Sequence, residues 1–253
     1  MMRGYRALTR ALFTSQLREP AAVFFLLIFS PGLLLVLGLI FGNQSIPEFG
    51  GQGPIDYMLP GVMVMSTLII GTTVIPHNHT FMRSSGLLTR LRMTPLSAVT
   101  YLASDMTVNF VLGMVGPVTA FITAVLIFKA KTPSNTVALL AAVIMCQVAM
   151  LAFGYALAAL LPSPGAATGL GNMLMILLMM TSGAFFPVDS LAPGVRKWLT
   201  ASPSYHMARL VHASFSGDSW PVASVLVVCG LTALTLALAT LTMTWGSPRV
   251  SSR

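Results

Sequence analysis

Charge is what this sequence has least of. Only 8% of its residues are charged, six of them acidic, and 55% are hydrophobic. A soluble domain carries about 25% charged residues. The polar surface needed to cover a water-soluble globule is missing, so the sequence reads as an integral membrane protein. Cysteine is scarce too. Cys146 and Cys229 fall inside apolar runs with no CxxC or metal-ligand spacing, so they read as small hydrophobes and fix no redox compartment. No GxxxxGK[ST], HExxH or GxSxG pattern occurs. The chain therefore has no P-loop route to a nucleotide, and no catalytic residue or cofactor is expected. His77 and His79 lack a third metal ligand and read as loop residues. His206 and His212 read as headgroup-level polar residues, so no metal is expected. The formal charge of +8 comes without interleaved base-stacking aromatics. Anionic lipid headgroups are its expected counter-charge, and nucleic acid is not an expected partner.

What is present is a series of long apolar runs. Residues 21–42, 57–75, 106–128, 136–161, 169–186 and 221–245 predict six membrane spans in an all-α, polytopic membrane protein that forms a single domain over 1–253. Pro31-Gly32 and Pro60-Gly61 predict kinks. The first 18 residues hold four Arg and no apolar core, so no cleavable signal peptide is expected. Residues 1–20 instead read as a helix lying on the membrane, with Arg3, Arg6 and Arg10 on one face and Tyr5, Leu8 and Leu12 on the other. The PSPGAAT segment at 162–168 reads as a tight turn. The stretch 187–220 is too polar to span and too apolar for an ordinary loop. It predicts helices half-sunk in the interface or re-entrant before the last span.

Six spans place both termini on one side. With the termini in the cytoplasm, the inner segments hold Arg3, Arg6, Arg10, Arg18, Arg83, Arg90, Arg92, Arg249 and Arg253. The outer segments hold Lys129, Lys131, Arg196, Lys197 and Arg209. This agrees with the positive-inside bias. It makes the loop from His77 to Asp105 cytoplasmic and 187–220 external.

That cytoplasmic loop is the only long polar interruption with clustered Arg: Arg83, Arg90 and Arg92. Leu87, Leu88 and Leu91 give a helix there an apolar stripe beside a basic one, and Pro95 limits it. Two readings of such a helix remain equal on these residues alone. It docks a soluble partner, or it lies on the anionic lipid surface.

The spans hold almost no ionisable residue, and Asp105 stands at a span edge. That argues against a proton-driven carrier and for an external energy source. Asn109, Gln147 and Asn172 are weakly polar groups of the kind that hydrogen-bond between helices, and Asn109 and Asn172 double as candidate pathway residues. The Met-rich run Met173, Met175, Met179 and Met180 fits lipid contact or packing. Met175 and Met179 are the candidates for lining a pathway to irregular apolar ligands.

Two stretches carry a family resemblance. The first is LPGVMVMSTLIIG followed by FMRSSGLLTRLRMTPLSAVTYLASD, through Pro60, Gly61, Arg83, Gly86, Leu91, Thr94, Pro95 and Leu96. The second is TSGAFFPVDSLAPGVRKWLTASPSYHMARLV, through Ser182, Gly183, Phe186, Pro187, Leu191, Pro193, Pro203 and Tyr205. In segment order and in these motifs the chain resembles the membrane subunit of type-2 ATP-binding-cassette exporters, the family of the daunorubicin- and nodulation-exporter permeases. The resemblance implies a complex of two permease copies, identical or similar, with two cytoplasmic ATPase subunits that bind the ATP. It implies a coupling helix carrying Arg83, Gly86, Leu87, Arg90, Leu91, Arg92, Thr94 and Pro95. It also implies an external gate built on Gly183, Phe186, Pro187, Pro203 and Tyr205. The expected activity is export of a hydrophobic or amphipathic substrate (a drug, an antibiotic or a lipid-like metabolite) across the cell membrane, as in antibiotic efflux. The alternatives are a carrier that works without ATP and a membrane-embedded enzyme. The family often places acids just before the Gly of the first motif. Met82, Ser84 and Ser85 stand there instead, so a role resting on those acids does not transfer.

Overall fold

The computed structural model describes residues 2–18, 24–42, 44, 52–93, 97–183 and 192–242, and no strand occurs among them. The elements are α1 (Met2–Leu17), a π-turn (Phe25–Phe29) running into α2 (Ser30–Phe41), α3 (Pro54–Ile69), a second π-turn (Ile70–Val74), α4 (Ile75–Ser84) and α5 (Leu87–Arg92). They continue as α6 (Ala98–Phe128), α7 (Thr136–Leu160), α8 (Pro164–Thr181), α9 (Pro193–Thr200), α10 (Pro203–Ser216) and α11 (Val222–Thr242).

Among the described residues, five helical runs are long and apolar enough to cross a membrane: Pro54–Ser84, Val99–Phe128, Thr136–Leu160, Pro164–Thr181 and Val222–Leu241. The apolar helix before them, Leu27–Phe41, has 15 residues. At 1.5 Å per residue that is about 22 Å, short of a ~30 Å hydrocarbon core. Residues 21–23 of the expected first span lie outside the described residues.

Local sequence explains where most of the helices begin. Ser97, Asn135 and Ser163 each accept a hydrogen bond from the backbone N–H three residues on, at Thr100, Ala138 and Ala166. Pro164 adds a ring preset for the first helical turn, so α8 absorbs most of the segment expected to be a tight turn at 162–168. It closes at Gly183, whose φ of +68° suits glycine.

Two boundaries differ most from expectation. The second span does not stop at Ile75. The helix continues to Ser84 because the chain meets Pro76 just after a π-turn, where the wider ladder tolerates a missing backbone donor. The third span starts at Ala98 rather than 106, on the Ser97 cap. The expected loop from His77 to Asp105 therefore shrinks to the α4–α5 turn, α5 and the link to α6. His77, His79 and Asp105 are helical residues.

α3 and its π-turn are central: 89% of the most apolar window in Pro54–Ser84 is buried, against 11% for Pro164–Thr181. α2, α6, α7 and α10 surround α3, and α11 runs along α7. The core joins Leu34, Leu59, Val62, Leu68, Val143, Met150, Met207 and Leu210. Small residues allow close crossings. A Cβ on Gly71 would lie 2.4 Å from the Met150 carbonyl oxygen, and one on Gly171 would lie 2.2 Å from that of Thr72. These crossings pin the π-turn between α7 and α8. Polar residues in the core pair across helices, as Ser30 Oγ does with Ser66 Oγ at 2.7 Å. Of the semi-polar stretch 187–220, α10 is packed into the bundle, with Met207, Leu210 and Val211 fully buried.

Candidate coupling site

The segment that leaves the bundle is α5. α4 ends when Ser85 N–H donates to Phe81 O at 2.9 Å, and Gly86 takes φ +72°, ψ 6°. That left-handed step costs an L-residue roughly 1–2 kcal/mol and glycine nothing. It turns the chain out of α4 and starts α5 on a new axis. Leu87 is 40% exposed, Arg90 is exposed and Leu91 half-buried. Arg92 ends the helix; Thr94 and Pro95 lie outside the described residues. The amphipathic helix expected here is thus present in its backbone over Leu87–Arg92.

Arg83 does something different from the other basic residues. Its guanidinium donates to the carbonyl of Leu161, the residue that caps α7. A cation on the last carbonyls of a helix also answers the helix dipole. Arg83 therefore ties α4 to the α7–α8 turn.

Above it, α4 is held on two sides. His77 Nδ1 lies 2.9 Å from Thr168 Oγ1 on α8. His79 points the other way, with Nε2 2.9 Å from Asp105 Oδ2 on α6. The Tyr155 hydroxyl on α7 donates to that same Oδ2 over 2.6 Å. The rings of Tyr155 and Tyr101 stand edge-on to His79, with centroids 5.0 and 6.1 Å away. Tyr101 also donates to Met82 Sδ at 3.4 Å. The His79 and Asp105 side chains are only 9% and 6% exposed. Three helices thus meet on one carboxylate oxygen.

The polar seam continues upward along α6. Asn109 Nδ2 donates to Asp105 O at 3.0 Å, and Gln147 Nε2 on α7 donates to Asn109 O at 3.5 Å. The outer face of α6 is tied to α1 instead, where the Tyr5 hydroxyl meets Thr107 Oγ1 at 2.8 Å.

The reading of the spans as nearly free of ionisable groups is corrected here, since His79 and Asp105 lie inside candidate spans. Hydrophobic periodicity misses them because they are buried against each other rather than facing solvent. A usable signal was present. Ser97 followed by Thr100 marks a cap, and a helix starting there puts Tyr101, Asp105 and Asn109 on one face at i, i+4, i+8. Tyr155 carries no such local signal.

The candidate pathway residues fall on different interfaces. Asn109 is buried between α6 and α7. Asn172 is exposed on α8, accepting from Thr73 Oγ1 at 3.4 Å, with Met175 and Met179 half-buried on the same helix.

At the opposite end, Gly183 terminates α8 and Pro203 opens α10, while Phe186 and Pro187 lie outside the described residues. The Thr181, Ser202 and Ser204 hydroxyls join the α8 end to the α10 start at 2.8–3.2 Å. Tyr205 packs its ring against His206 at 5.5 Å, with the Arg209 guanidinium 5.8 Å from its centroid. His206 bridges two neighbours. Its Nε2–H donates to the Thr200 carbonyl at 3.0 Å, which leaves Nδ1 to accept from Ser224 Oγ at 3.0 Å. Burial lowers the His206 pKa from its ordinary value, the Thr200 carbonyl opposes that shift, and Arg209 adds to it. Burial also lowers that of His212, against Asp218.

A bundle of long apolar helices is the architecture of a multi-pass membrane protein. The family model described as ABC-2 type transporter matches residues 3–216. The chain belongs to the ABC-2 type transporter family. The family match identifies it as an ABC transporter permease, and proteins of this kind generally work with an ATPase partner. A comparison with curated proteins finds no match.

Proposed function

We propose that this chain is the transmembrane subunit of an ATP-driven exporter that moves a hydrophobic or amphipathic substrate out across the cytoplasmic membrane. The observation that carries the reading is α5, a short helix with exposed Arg90 and Leu87, set off from two long spans by a left-handed glycine. In this reading α5 seats in a cytoplasmic ATPase subunit, which binds and hydrolyses the ATP. Leu87 and Leu91 fill the apolar part of the contact, and Arg90 and Arg92 its polar rim. Two permease copies assemble around the pathway, and both termini are cytoplasmic. The segment before α2 completes a sixth span, α1 lies as an elbow helix on the inner surface, and α9 and α10 form the outer gate. Anionic lipids contact Arg6 and Arg10, which are exposed on α1. An apolar cargo agrees with His79, Asp105 and Tyr155 being bonded to one another rather than offered as counter-charges.

Purified permease and ATPase in proteoliposomes, given ATP and a fluorescent amphiphilic dye, test the reading. ATP-dependent dye movement that vanishes on omitting the ATPase supports it; dye movement without ATP contradicts it. The buried His79–Asp105 pair gives the carrier alternative one feature it needs. A proton relay through the membrane needs further stations beyond that pair.

A further inference from the structure

The contacts of α4 do more than stabilise a fold. From the π-turn to Gly86 this segment is tied at five levels: Gly71 against the Met150 backbone, His77 to Thr168, His79 to Asp105 and Tyr155, Met82 to Tyr101, and Arg83 to the Leu161 carbonyl. The third and fourth ties reach α6. Packing alone lets helices slide, as apolar contacts have no direction. A carboxyl group fixed at 2.9 Å and 2.6 Å by groups from two other helices does not allow sliding without breaking hydrogen bonds in a buried site.

We propose that His79, Asp105 and Tyr155 are positioning residues that form a joint, through which displacement of α5 reaches α6 and α7 as one rigid unit. The proposal rests on the ATPase-docking reading of α5 and adds the route by which movement enters the membrane. A push on α5 passes through the short Gly86 turn to the end of α4. His79 lies seven residues before Gly86, about 10 Å along the helix, close enough to move with it. The shared Oδ2 of Asp105 then carries the load to α6, and the Tyr155 hydroxyl carries it to α7. The Asn109–Gln147 contact repeats the α6–α7 connection one turn further in.

Amide hydrogen exchange on the intact permease–ATPase complex tests this. Nucleotide-free complex is compared with complex trapped by ATP and vanadate. In the wild type, exchange changes by about fivefold, the effect of roughly one hydrogen bond, in residues 83–93 and also in 98–109 and 150–161. In Asp105→Asn the change stays in 83–93 and is lost from the other two segments; in Tyr155→Phe it is lost from 150–161 and kept in 98–109. The His79→Asp, Asp105→His exchange of partners restores it. If both single variants spread the change as the wild type does, the joint is overturned. A purely structural role raises exchange equally with and without nucleotide and leaves the difference intact, which also overturns it. Should Asp105→Asn not fold, Tyr155→Phe, which removes a single hydroxyl, decides alone. If wild-type complex forms but 83–93 does not respond to nucleotide, the docking reading itself fails, and the joint with it.

Discussion

Tyr155 gives its hydroxyl hydrogen to Asp105 Oδ2 over 2.6 Å, and that oxygen is the one His79 Nε2 meets at 2.9 Å. The two donors come from helices far apart in sequence, and the acceptor comes from a third. Leaving a buried donor or acceptor without its partner costs about 1–3 kcal/mol, more where the group is charged. Asp105→Asn and His79→Ala are expected to lose at least that much, and Tyr155→Phe about 1–3 kcal/mol. Unfolding of the detergent-purified protein measures all three. A double variant of His79 and Asp105 that loses clearly less than the sum of the singles shows the coupling.

The glycine crossings predict a sharp contrast along one helix. A Cβ on Gly171 would sit 2.2 Å from a backbone oxygen, which has no rotamer to yield, whereas one on Gly165 or Gly169 meets nothing within 4 Å. Gly171→Ala is expected to cost about 1–3 kcal/mol by overpacking. Gly169→Ala is expected to stabilise by up to about 1 kcal/mol through helix propensity alone. Melting temperatures of the two variants, expected to shift in opposite directions, check this.

The elements legible in the sequence were those whose signal is apolar length or one-faced charge. Residues 136–161 appear as α7 almost to the residue, and the basic, leucine-striped stretch appears as α5. What stayed hidden was polar residues inside helices. His77, His79 and Asp105 look like loop because a period-3.6 pattern assumes polar groups face water, while His79 and Asp105 face each other and His77 faces Thr168. Pro76 looks like a stop because its effect depends on the π-turn before it, which no local residue announces. The partnership with Tyr155 spans 50 residues and exists only once α6 and α7 pack.

Acid is expected to loosen the α9–α10–α11 corner. The folded-state pKa of His206 lies below its ordinary value, chiefly from burial. The unfolded chain therefore binds the proton first, and stability is lost as pH falls from the unfolded value of about 6.5 through the folded one. Unfolding midpoints measured between pH 8 and pH 5 are expected to fall at the acid end, less steeply in His206→Gln. An unchanged slope in that variant contradicts the assignment.

Gly86 separates folding from docking. Its φ of +72° makes Gly86→Val strained by roughly 1–2 kcal/mol, yet no neighbour lies within 4 Å of a Cβ there. The bundle is expected to remain folded while α5 changes direction, so capture of the ATPase drops more than the melting temperature does. Equal capture by Gly86→Val and wild type contradicts this.

The central claim is that α5 is where a cytoplasmic ATPase holds this permease. Its most direct measurement is co-purification of the chain with its candidate cassette ATPase, comparing wild type with Arg90→Glu and Leu91→Glu at matched expression. The account predicts that wild type retains the ATPase and both variants lose it while staying folded in the membrane. Equal retention by all three, or no ATPase on the wild type, contradicts it and leaves α5 as a lipid-surface anchor.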